Sequence, residues 1–270
     1  MVSIQPNSFI PASSPQPSDS QQQLASGKRI NSAADDAAGL AIATRLTSNI
    51  NANQQAQRNA VDAQSLIQTE DGALAGISDG VQRLQELALQ QGNGILNESD
   101  REALAAEADQ IRSQISDTLS QTQFNGRDLF QRQNQNQESP QDLRFQLGSG
   151  EDDAITLSAN TLASEVEETL AGLDFTSPDS AADLSSLNEL QQSLGARRSE
   201  LGAVSNRIDA SLDNLSQQNE TSQAARSRIE DADLAQSVSE RLKDQILQQA
   251  QISSQAQANA SSEQVLRLLD

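Results

Sequence analysis

Carboxylates are the main candidates for chemistry in this chain, because its 270 residues include neither histidine nor cysteine. Without histidine the commonest general base and metal ligand is lost. Without cysteine the chain has no thiolate nucleophile, no thiolate metal site and no disulfide. Lysine occurs only as Lys28 and Lys243, which makes a lysine nucleophile a poor candidate. Together these absences exclude zinc sites, Ser-His-Asp triads and Cys-His dyads.

Two short acidic runs stand out among the carboxylates. The pair at residues 35–36 lies at a predicted helix start, with neither a set of basic partners nor a glycine-rich phosphate loop nearby. The run at 151–153 follows a Gly-Ser-Gly segment at 148–150, which fits the tip of a β-hairpin or, as the alternative, a weak Ca²⁺ site. We predict no catalytic residues, no cofactor and no metal, and therefore not an enzyme.

The charge of the chain limits the classes of partner that it is expected to bind. The formal net charge is −20 and the isoelectric point is near 4.2, so nucleic acid and anionic membrane surfaces are not expected partners. No segment has the roughly 18 consecutive apolar residues of a membrane span. The first ten residues lack the basic and apolar regions of a secretory signal. These features indicate a cytoplasmic protein or one exported by a dedicated route.

The composition favours long helices over a compact globule. Five phenylalanines are the only aromatic residues, and hydrophobic residues make up 35% of the chain. Long helices with narrow apolar seams suit this composition because they bury little area per residue. We expect a mainly α fold: an elongated antiparallel helical bundle or coiled coil of N- and C-terminal helices, with a small central β-hairpin region.

The N-terminal half predicts an extended arm followed by two helices. Four of the six prolines lie in residues 1–20, which predicts an unstructured or extended segment. The pattern from 19 to 91 is helical, and a Gly-Asn-Gly cluster at 92–94 ends it. A capping-box pattern from Ser99 to Glu102 then predicts a second helix that folds back on the first. The first helix carries a coiled-coil seam at Ile67, Leu74, Ile77, Val81 and Leu84.

The central region has a different pattern. Leu143, Phe145 and Leu147 alternate with polar residues, and Ile155 and Leu157 alternate again after the glycine segment. Such alternation predicts a β-hairpin. A region of this size has room for a few strands and a short helix.

The C-terminal part begins with an unbroken heptad pattern. Apolar residues recur every seven positions at Leu187, Leu194, Leu201, Ile208 and Leu215. This predicts a coiled coil, with one helix of a globular bundle as the alternative. The segment from 226 onward carries a drifting stripe, spaced mostly by four, which indicates a helix that needs several neighbours or stays disordered until it has them.

These observations predict five segments. They are an N-terminal arm at 1–30 with about the first 20 residues disordered, helices at 31–130, a short hairpin region at 131–180, a helix at 181–225 and a C-terminal helix at 226–270. The two ends of the chain must pair, because neither seam can be buried alone.

Several motifs resemble those of bacterial flagellins, in family order. The segment at 26–43, SGKRINSAADDAAGLAIA, resembles the N-terminal signature of the family, and QTQFNG at 121–126 resembles the end of its second helix. In the C-terminal part, LGAVSNRI at 201–208, SRIEDAD at 227–233 and QILQQA at 245–250 are similar to its C-terminal helices. As a set these matches are highly specific.

The resemblance implies an extracellular structural subunit of the flagellar filament, used for motility. Such a subunit is exported unfolded through the flagellar export apparatus with the help of a flagellin chaperone, and it assembles with other flagellin subunits through its terminal helices. The resemblance implies that 1–30 and 226–270 form the inner core of the filament, and that the rod helices at 31–130 and 181–225 form its outer wall together with the hairpin region. The proline-rich N-terminus and the polar stretch at 251–263 depart from the family pattern, so co-assembly with a fuller flagellin is an alternative to unaided polymerisation. A second interpretation of the chain is a hook–filament junction protein, and a third is an acidic coiled-coil adhesin or interaction module.

The resemblance also implies a recognition surface for an innate immune receptor. The segment at 82–88 resembles the region recognised in some flagellins, and a facing helix would contribute two further side chains. The alternative interpretation is a coiled-coil seam flanked by a solvated ion pair. The implied contacts are Arg83, Glu86, Leu87, Glu107 and Gln110.

Overall fold

The computed structural model describes residues 19–130, 141–148, 150, 152–176 and 181–269. The expected disordered arm therefore lies almost wholly outside the described residues. In chain order the elements are α1 (Asp19–Ser26), α2 (Ala37–Gln91), α3 (Glu98–Gln121), β1 (Gln123–Phe124), β2 (Arg127–Asp128), β3 (Leu143–Gln146), β4 (Ala154–Leu157), α4 (Leu162–Gly172), α5 (Ala181–Glu230) and α6 (Leu234–Leu269). The expected mainly α architecture with a small β-hairpin region is confirmed.

The chain divides into two compact units. One unit comprises 1–50 together with 220–270, and the other comprises 51–219. We call them the terminal unit and the central unit. Both α2 and α5 contribute residues to each unit.

The central unit is built on an antiparallel pairing of α2 with α5. Gln64 on α2 donates a hydrogen bond to Asp209 on α5 at 3.0 Å, and Gln85 donates to Asn188 at 3.3 Å. Residue numbers rise along one helix as they fall along the other, so the two helices run in opposite directions. The apolar residues of both helices form one continuous buried core with parts of α3, α4 and the β3–β4 hairpin.

The hairpin is antiparallel, as its alternating pattern predicts. Leu143 pairs with Leu157, and Phe145 pairs with Ile155. Ile155 and Leu157 are buried, so one face of β4 contributes to the core. A second small hairpin, β1–β2, turns at Asn125, whose positive φ of 51° matches the turn signal in the sequence.

The cap of α3 lies earlier than the sequence pattern suggested. Asn97 is the N-cap: its side chain accepts a hydrogen bond from the Asp100 backbone N–H at 2.9 Å, and the Asp100 carboxylate accepts one from the Asn97 N–H at 3.2 Å. The expected capping box from Ser99 to Glu102 is therefore wrong. Aspartate takes the place that glutamate or glutamine occupies in the usual motif.

The helix expected from 19 to 91 is interrupted at 27–36, which separates α1 from α2. Gly27 follows α1 with a φ of 70°, the left-handed conformation that ends many helices, and its N–H donates to the carbonyl of Gln23 at 2.8 Å. The helix resumes after Asp36, whose side chain accepts a hydrogen bond from the Gly39 N–H at 2.8 Å. A Cβ on Gly39 would clash with the Asp36 carboxylate and lie 2.7 Å from the end of the buried Ile30 side chain, so a larger residue would have to displace both groups.

A second break separates α5 from α6. The helix α5 continues to Glu230 and thus passes the boundary expected between 225 and 226. Asp233 then caps α6, because its side chain accepts hydrogen bonds from the N–H groups of Ala235 and Gln236 at 2.9 and 3.2 Å.

Candidate functional site

The predicted seam residues lie in the core of the central unit, and we refer to them together as the seam. Each of them is buried, with 6% or less of its surface exposed. They are Ile67, Leu74, Ile77, Val81 and Leu84 on α2, and Leu187, Leu194, Leu201, Ile208 and Leu215 on α5. Their burial is complete within a single chain, so they hold the fold together rather than face a neighbouring molecule.

A buried ion pair interrupts the seam. Glu70 on α2 and Arg197 on α5 are 1% and 6% exposed, and the Arg197 Nε lies 2.8 Å from the Glu70 Oε1. Asn160, in the connection between β4 and α4, donates to the same Glu70 oxygen at 2.7 Å. Arg197 also donates to the Ser158 carbonyl and to Glu200, each at 3.0 Å. The network joins α2, α5 and the β4–α4 connection.

The sequence contains a signal for this ion pair: a charged residue occupies a core position of the heptad pattern in each of the two helices. Glu70 lies three residues after Ile67, and Arg197 lies three residues after Leu194. In each helix these are heptad positions where an apolar residue is expected. Opposite charges at core positions of two long helices, in a chain where those helices pair, indicate a buried salt bridge.

In the terminal unit, main-chain hydrogen bonds join a segment near the N-terminus to a segment near the C-terminus. We define this terminal bridge as residues 27–29 with 230–232. The Arg29 N–H donates to the Glu230 carbonyl at 2.6 Å, and the Ala232 N–H donates to the Gly27 carbonyl at 3.0 Å. The Lys28 ammonium lies 2.5 Å from the Glu230 carboxylate. The bridge therefore joins the segment after α1 to the segment between α5 and α6.

The acidic pair at 35–36 has a structural role at the start of α2. The Asp35 carboxylate accepts hydrogen bonds from the backbone N–H groups of Asn31 and Ser32 at 2.9 and 2.8 Å. These bonds, that from Asn31 first, lower the pKa of Asp35. Asp36 caps α2 as described above, so both carboxylates accept bonds from their own backbone neighbourhood.

The acidic run at the hairpin tip also supports a turn. The Asp153 carboxylate accepts from the Gly150 N–H at 2.8 Å, and its carbonyl accepts from the Leu147 N–H at 2.8 Å. Glu151 lies outside the described residues. Among the residues that are described, no three acidic, histidine or cysteine side chains are grouped as metal ligands would be.

Four of the five implied receptor contacts are exposed polar or charged side chains. Arg83 donates to Glu86 at 2.7 Å and, from its Nε, to Glu107 on α3 at 2.9 Å. The hydrogen bonds from Glu86 and then Glu107 raise the pKa of Arg83. Gln110 is exposed one helical turn from Glu107. Leu87, by contrast, is fully buried in the core and cannot offer its side chain to a partner of the folded chain. The Arg83 surface therefore consists of the remaining four side chains.

An exposed apolar stripe runs along the first half of α6. Its side chains recur every four residues and are between 44% and 66% exposed. We call them the α6 stripe: Leu234, Val238, Leu242 and Ile246. On another face of the same helix Ser237 is buried, and its hydroxyl donates to Gln23 of α1 at 3.4 Å. Thus α1 packs on α6 and leaves the stripe uncovered.

In the part of the chain that the structure describes, no helix combines the length and apolar character of a membrane span. The features that remain are a buried core of paired helices, a bridge between the chain ends and an unpaired apolar stripe. These features are typical of a protein that packs against other proteins.

Comparisons with known proteins assign this arrangement to a family. The models of the bacterial flagellin N-terminal helical region and the bacterial flagellin C-terminal helical region match residues 1–135 and 181–269. A flagellin of Halalkalibacterium halodurans is 36% identical over 250 residues, which cover 92% of this chain and 90% of the relative. The flagellar filament 30.7 kDa core protein of Treponema maltophilum is 31% identical over 278 residues, covering 100% and 98%.

A solved structure supports the same assignment. The crystal structure of Bacillus cereus flagellin matches with a TM-score of 0.53 and 30% identity, covering 58% of this chain and 88% of that one. The chain therefore belongs to the bacterial flagellin family, and it is a structural subunit of the extracellular flagellar filament rather than an enzyme.

Proposed function

We propose that the chain assembles with other flagellin subunits through its two terminal segments, 1–30 and 226–270, and that the α6 stripe supplies the main apolar contact. The segments 31–130 and 181–225, together with the short 131–180 region, then form the outer wall of the filament. The observation that carries this proposal is the α6 stripe: four large apolar side chains at helical spacing, exposed in the single chain.

The energetics favour burial of the stripe in an assembly. Complete burial of a leucine, isoleucine or valine side chain contributes about 1.5–3 kcal/mol. Four such side chains in every subunit, repeated along a filament, supply a large driving force even though each is already partly buried. The seam cannot play this part, because its side chains are already covered within the chain.

The test compares two substitutions on the stripe with one elsewhere. Leu242→Gln with Ile246→Gln should leave the helical content and thermal unfolding of the monomer unchanged while raising the concentration needed for polymerisation. Val61→Gln is the matched control, because Val61 on α2 is also apolar and 52% exposed but lies in the central unit. Sedimentation and electron microscopy of the concentrated protein, alone and mixed with a second flagellin from the same source, measure assembly. Equal polymerisation of the stripe variant and the control contradicts the proposal.

The same stripe is the proposed binding site of the flagellin chaperone before export through the flagellar export apparatus. An exposed apolar helix face needs cover in a protein held at high concentration. Co-purification of the chain with a co-expressed flagellin chaperone should be lost on the Leu242→Gln, Ile246→Gln change and retained for Val61→Gln. Retention by both variants assigns chaperone binding to another segment.

A third proposed partner is an innate immune receptor at the Arg83 surface. The supporting observation is that Arg83, half exposed, is held between Glu86 and Glu107, so a charged group bridges α2 and α3 in a fixed position. Arg83→Ala should weaken binding to a receptor ectodomain without changing thermal unfolding. Arg58→Ala is the control, because Arg58 is an exposed arginine of α2 that contacts Gln55 of its own helix. Unchanged binding by Arg83→Ala removes this partner.

A further inference from the structure

The chain contains the dipeptide Asn-Gly twice, in two different backbone settings. Asn93-Gly94 lies in the connection between α2 and α3, and Asn125-Gly126 forms the turn between β1 and β2. Asparagine followed by glycine is chemically labile, since glycine has no Cβ to hinder approach of its backbone nitrogen to the asparagine side chain. Asparagine is accordingly among the residues that heat-stable proteins avoid.

We propose that Asn93 is a site of spontaneous deamidation in the folded chain and that Asn125 is protected from the same reaction. In the first step the Gly94 backbone nitrogen attacks the Asn93 Cγ. The new N–Cγ bond forms, the Cγ–Nδ2 bond breaks, and ammonia leaves with the proton from the Gly94 nitrogen. Water then opens the cyclic succinimide at either carbonyl and gives aspartate or isoaspartate.

The connection at 92–97 meets the requirements of this reaction. Asn93 and Gly94 are exposed, and Ile95 beside them is 87% exposed, so water reaches the site. In the described part of the chain the Gly94 N–H donates no hydrogen bond, which leaves its nitrogen available.

The Asn93 side chain is held beside the following backbone. Its Oδ1 accepts a hydrogen bond from the Ile95 N–H at 3.3 Å, as in an Asx turn. The hydrogen bond draws electrons from the Cγ carbonyl, which makes the Cγ a better target for the Gly94 nitrogen.

The second dipeptide is held away from the reactive geometry. Asn125 and Gly126 have φ values of 51° and 76°, and the flanking Phe124 and Arg127 pair across the β1–β2 ladder. The Leu129 N–H closes the hairpin by donating to the Thr122 carbonyl at 3.2 Å. Ring closure requires Asn125 to leave its left-handed conformation, so the hairpin must open first.

The reaction would change the chain at a defined place. Each product adds one negative charge between α2 and α3, close to the Asn97 cap. Isoaspartate in addition routes the main chain through the former side chain and lengthens the connection by one carbon atom. The Leu96 N–H, which donates to the Asn93 carbonyl at 3.2 Å, would lose its present acceptor geometry.

The test follows both asparagines in one sample. The full-length chain is incubated in mildly alkaline buffer, digested, and mapped by mass spectrometry for conversion of amide to acid, and isoaspartate is measured with an isoaspartyl methyltransferase. We expect Asn93 to react at least about tenfold faster than Asn125, the factor given by a barrier difference of about 1.4 kcal/mol. In urea the two rates should become similar, because the hairpin no longer protects Asn125. Equal rates in the folded chain overturn the proposal.

Gly94→Ala is the decisive variant, because a Cβ at this position meets no atom within 4 Å and the chain should fold normally. The added methyl group should slow reaction of Asn93 about tenfold, while thermal unfolding and the rate at Asn125 stay unchanged. An unchanged rate at Asn93 in Gly94→Ala also overturns the proposal.

Discussion

The buried contact between Glu70 and Arg197 favours one alignment of α2 with α5. Removing two charges from water is costly, and the cost is recovered only when both groups are fully hydrogen-bonded. Here Asn160, Ser158 and Glu200 supply the further partners. A shift of either helix along the other would leave a buried charge unpaired, so the pair selects one register among the several that the repeating leucines alone would permit.

Loss of one partner should therefore destabilise the central unit strongly. Glu70→Gln should lower the free energy of unfolding toward the lower end of about 3–5 kcal/mol, since Arg197 keeps Glu200 as a partner. Asp71→Asn is the matched control on the adjacent residue: Asp71 contacts Arg198 at 2.7 Å, but both side chains are 42% exposed. It should cost less than about 1 kcal/mol. Urea unfolding of the two variants measures the difference, and similar losses would contradict the role of the buried pair.

The Asp35 carboxylate makes a prediction about pH. Because its pKa is lower in the folded turn than in the unfolded chain, its contribution to stability is present above the ordinary aspartate value of about 3.9 and is lost as the pH falls through the folded-state pKa. The backbone amide signals of Asn31 and Ser32 in NMR spectra should shift with a midpoint below about 3.9. In Asp35→Ala this titration should disappear. A midpoint at or above the ordinary value would show that the two amides do not stabilise the carboxylate.

At the scale of the elements, the sequence predicts helices better than it predicts their ends. Heptad spacing identified the seam because apolar burial dominates the energetics of long helices. The breaks at 27–36 and 231–233 are determined instead by single residues, Gly27 and Asp233, whose hydrogen bonds with the neighbouring backbone do not alter the apolar period. Both carried local signals, a glycine after the helix and an aspartate before one, that proline positions and apolar periodicity do not capture.

The exposed surfaces were likewise predictable from the sequence only in part. The α6 stripe could be anticipated from its four-residue spacing, although only the structure reveals that α1 leaves it uncovered. The motif match placed Leu87 on a recognition surface, whereas its position beside Ala88 in the core gives it no exposed area. A motif identifies a stretch of helix but does not say which side chains point outward, and that depends on the packing of α3 and α5 against α2.

The α3 cap offers a direct test at this scale. Asn97→Ala should destabilise the chain by about 1 kcal/mol, because the Asp100 N–H loses its acceptor at the start of the helix. Ser99→Ala should have almost no effect, since Ser99 is an exposed residue inside the first turn. Thermal unfolding followed by circular dichroism distinguishes the two. A larger loss of stability in Ser99→Ala than in Asn97→Ala would mean that Ser99 is the N-cap residue.

At the scale of the whole molecule, each of the two units contains residues from both the N-terminal and the C-terminal half of the chain. The central unit needs α5 to cover the α2 part of the seam, and the terminal unit needs the segment at 230–232 to complete the terminal bridge. Neither unit can therefore be completed until the C-terminal half is available. The N-terminal half alone lacks the partner surface that would complete its fold.

The net charge of −20 opposes the association on which a filament depends. Copies of the chain repel one another unless salt screens them, and the screening length falls from about 30 Å at 0.01 M to about 8 Å at 0.15 M ionic strength. The critical concentration for polymerisation should therefore fall as NaCl is raised over this range, and sulfate should act more strongly because it also favours apolar burial.

Sedimentation of the chain at a series of salt and protein concentrations measures this effect, with sucrose at equal osmolality as the uncharged control. The Leu242→Gln, Ile246→Gln variant should show the same dependence on NaCl at higher protein concentrations, because its charge is unchanged and only its apolar contact is weaker. A critical concentration that does not respond to NaCl would mean that the acidic residues lie far from the contacts between subunits. Charge would then keep the free chain soluble without opposing its assembly.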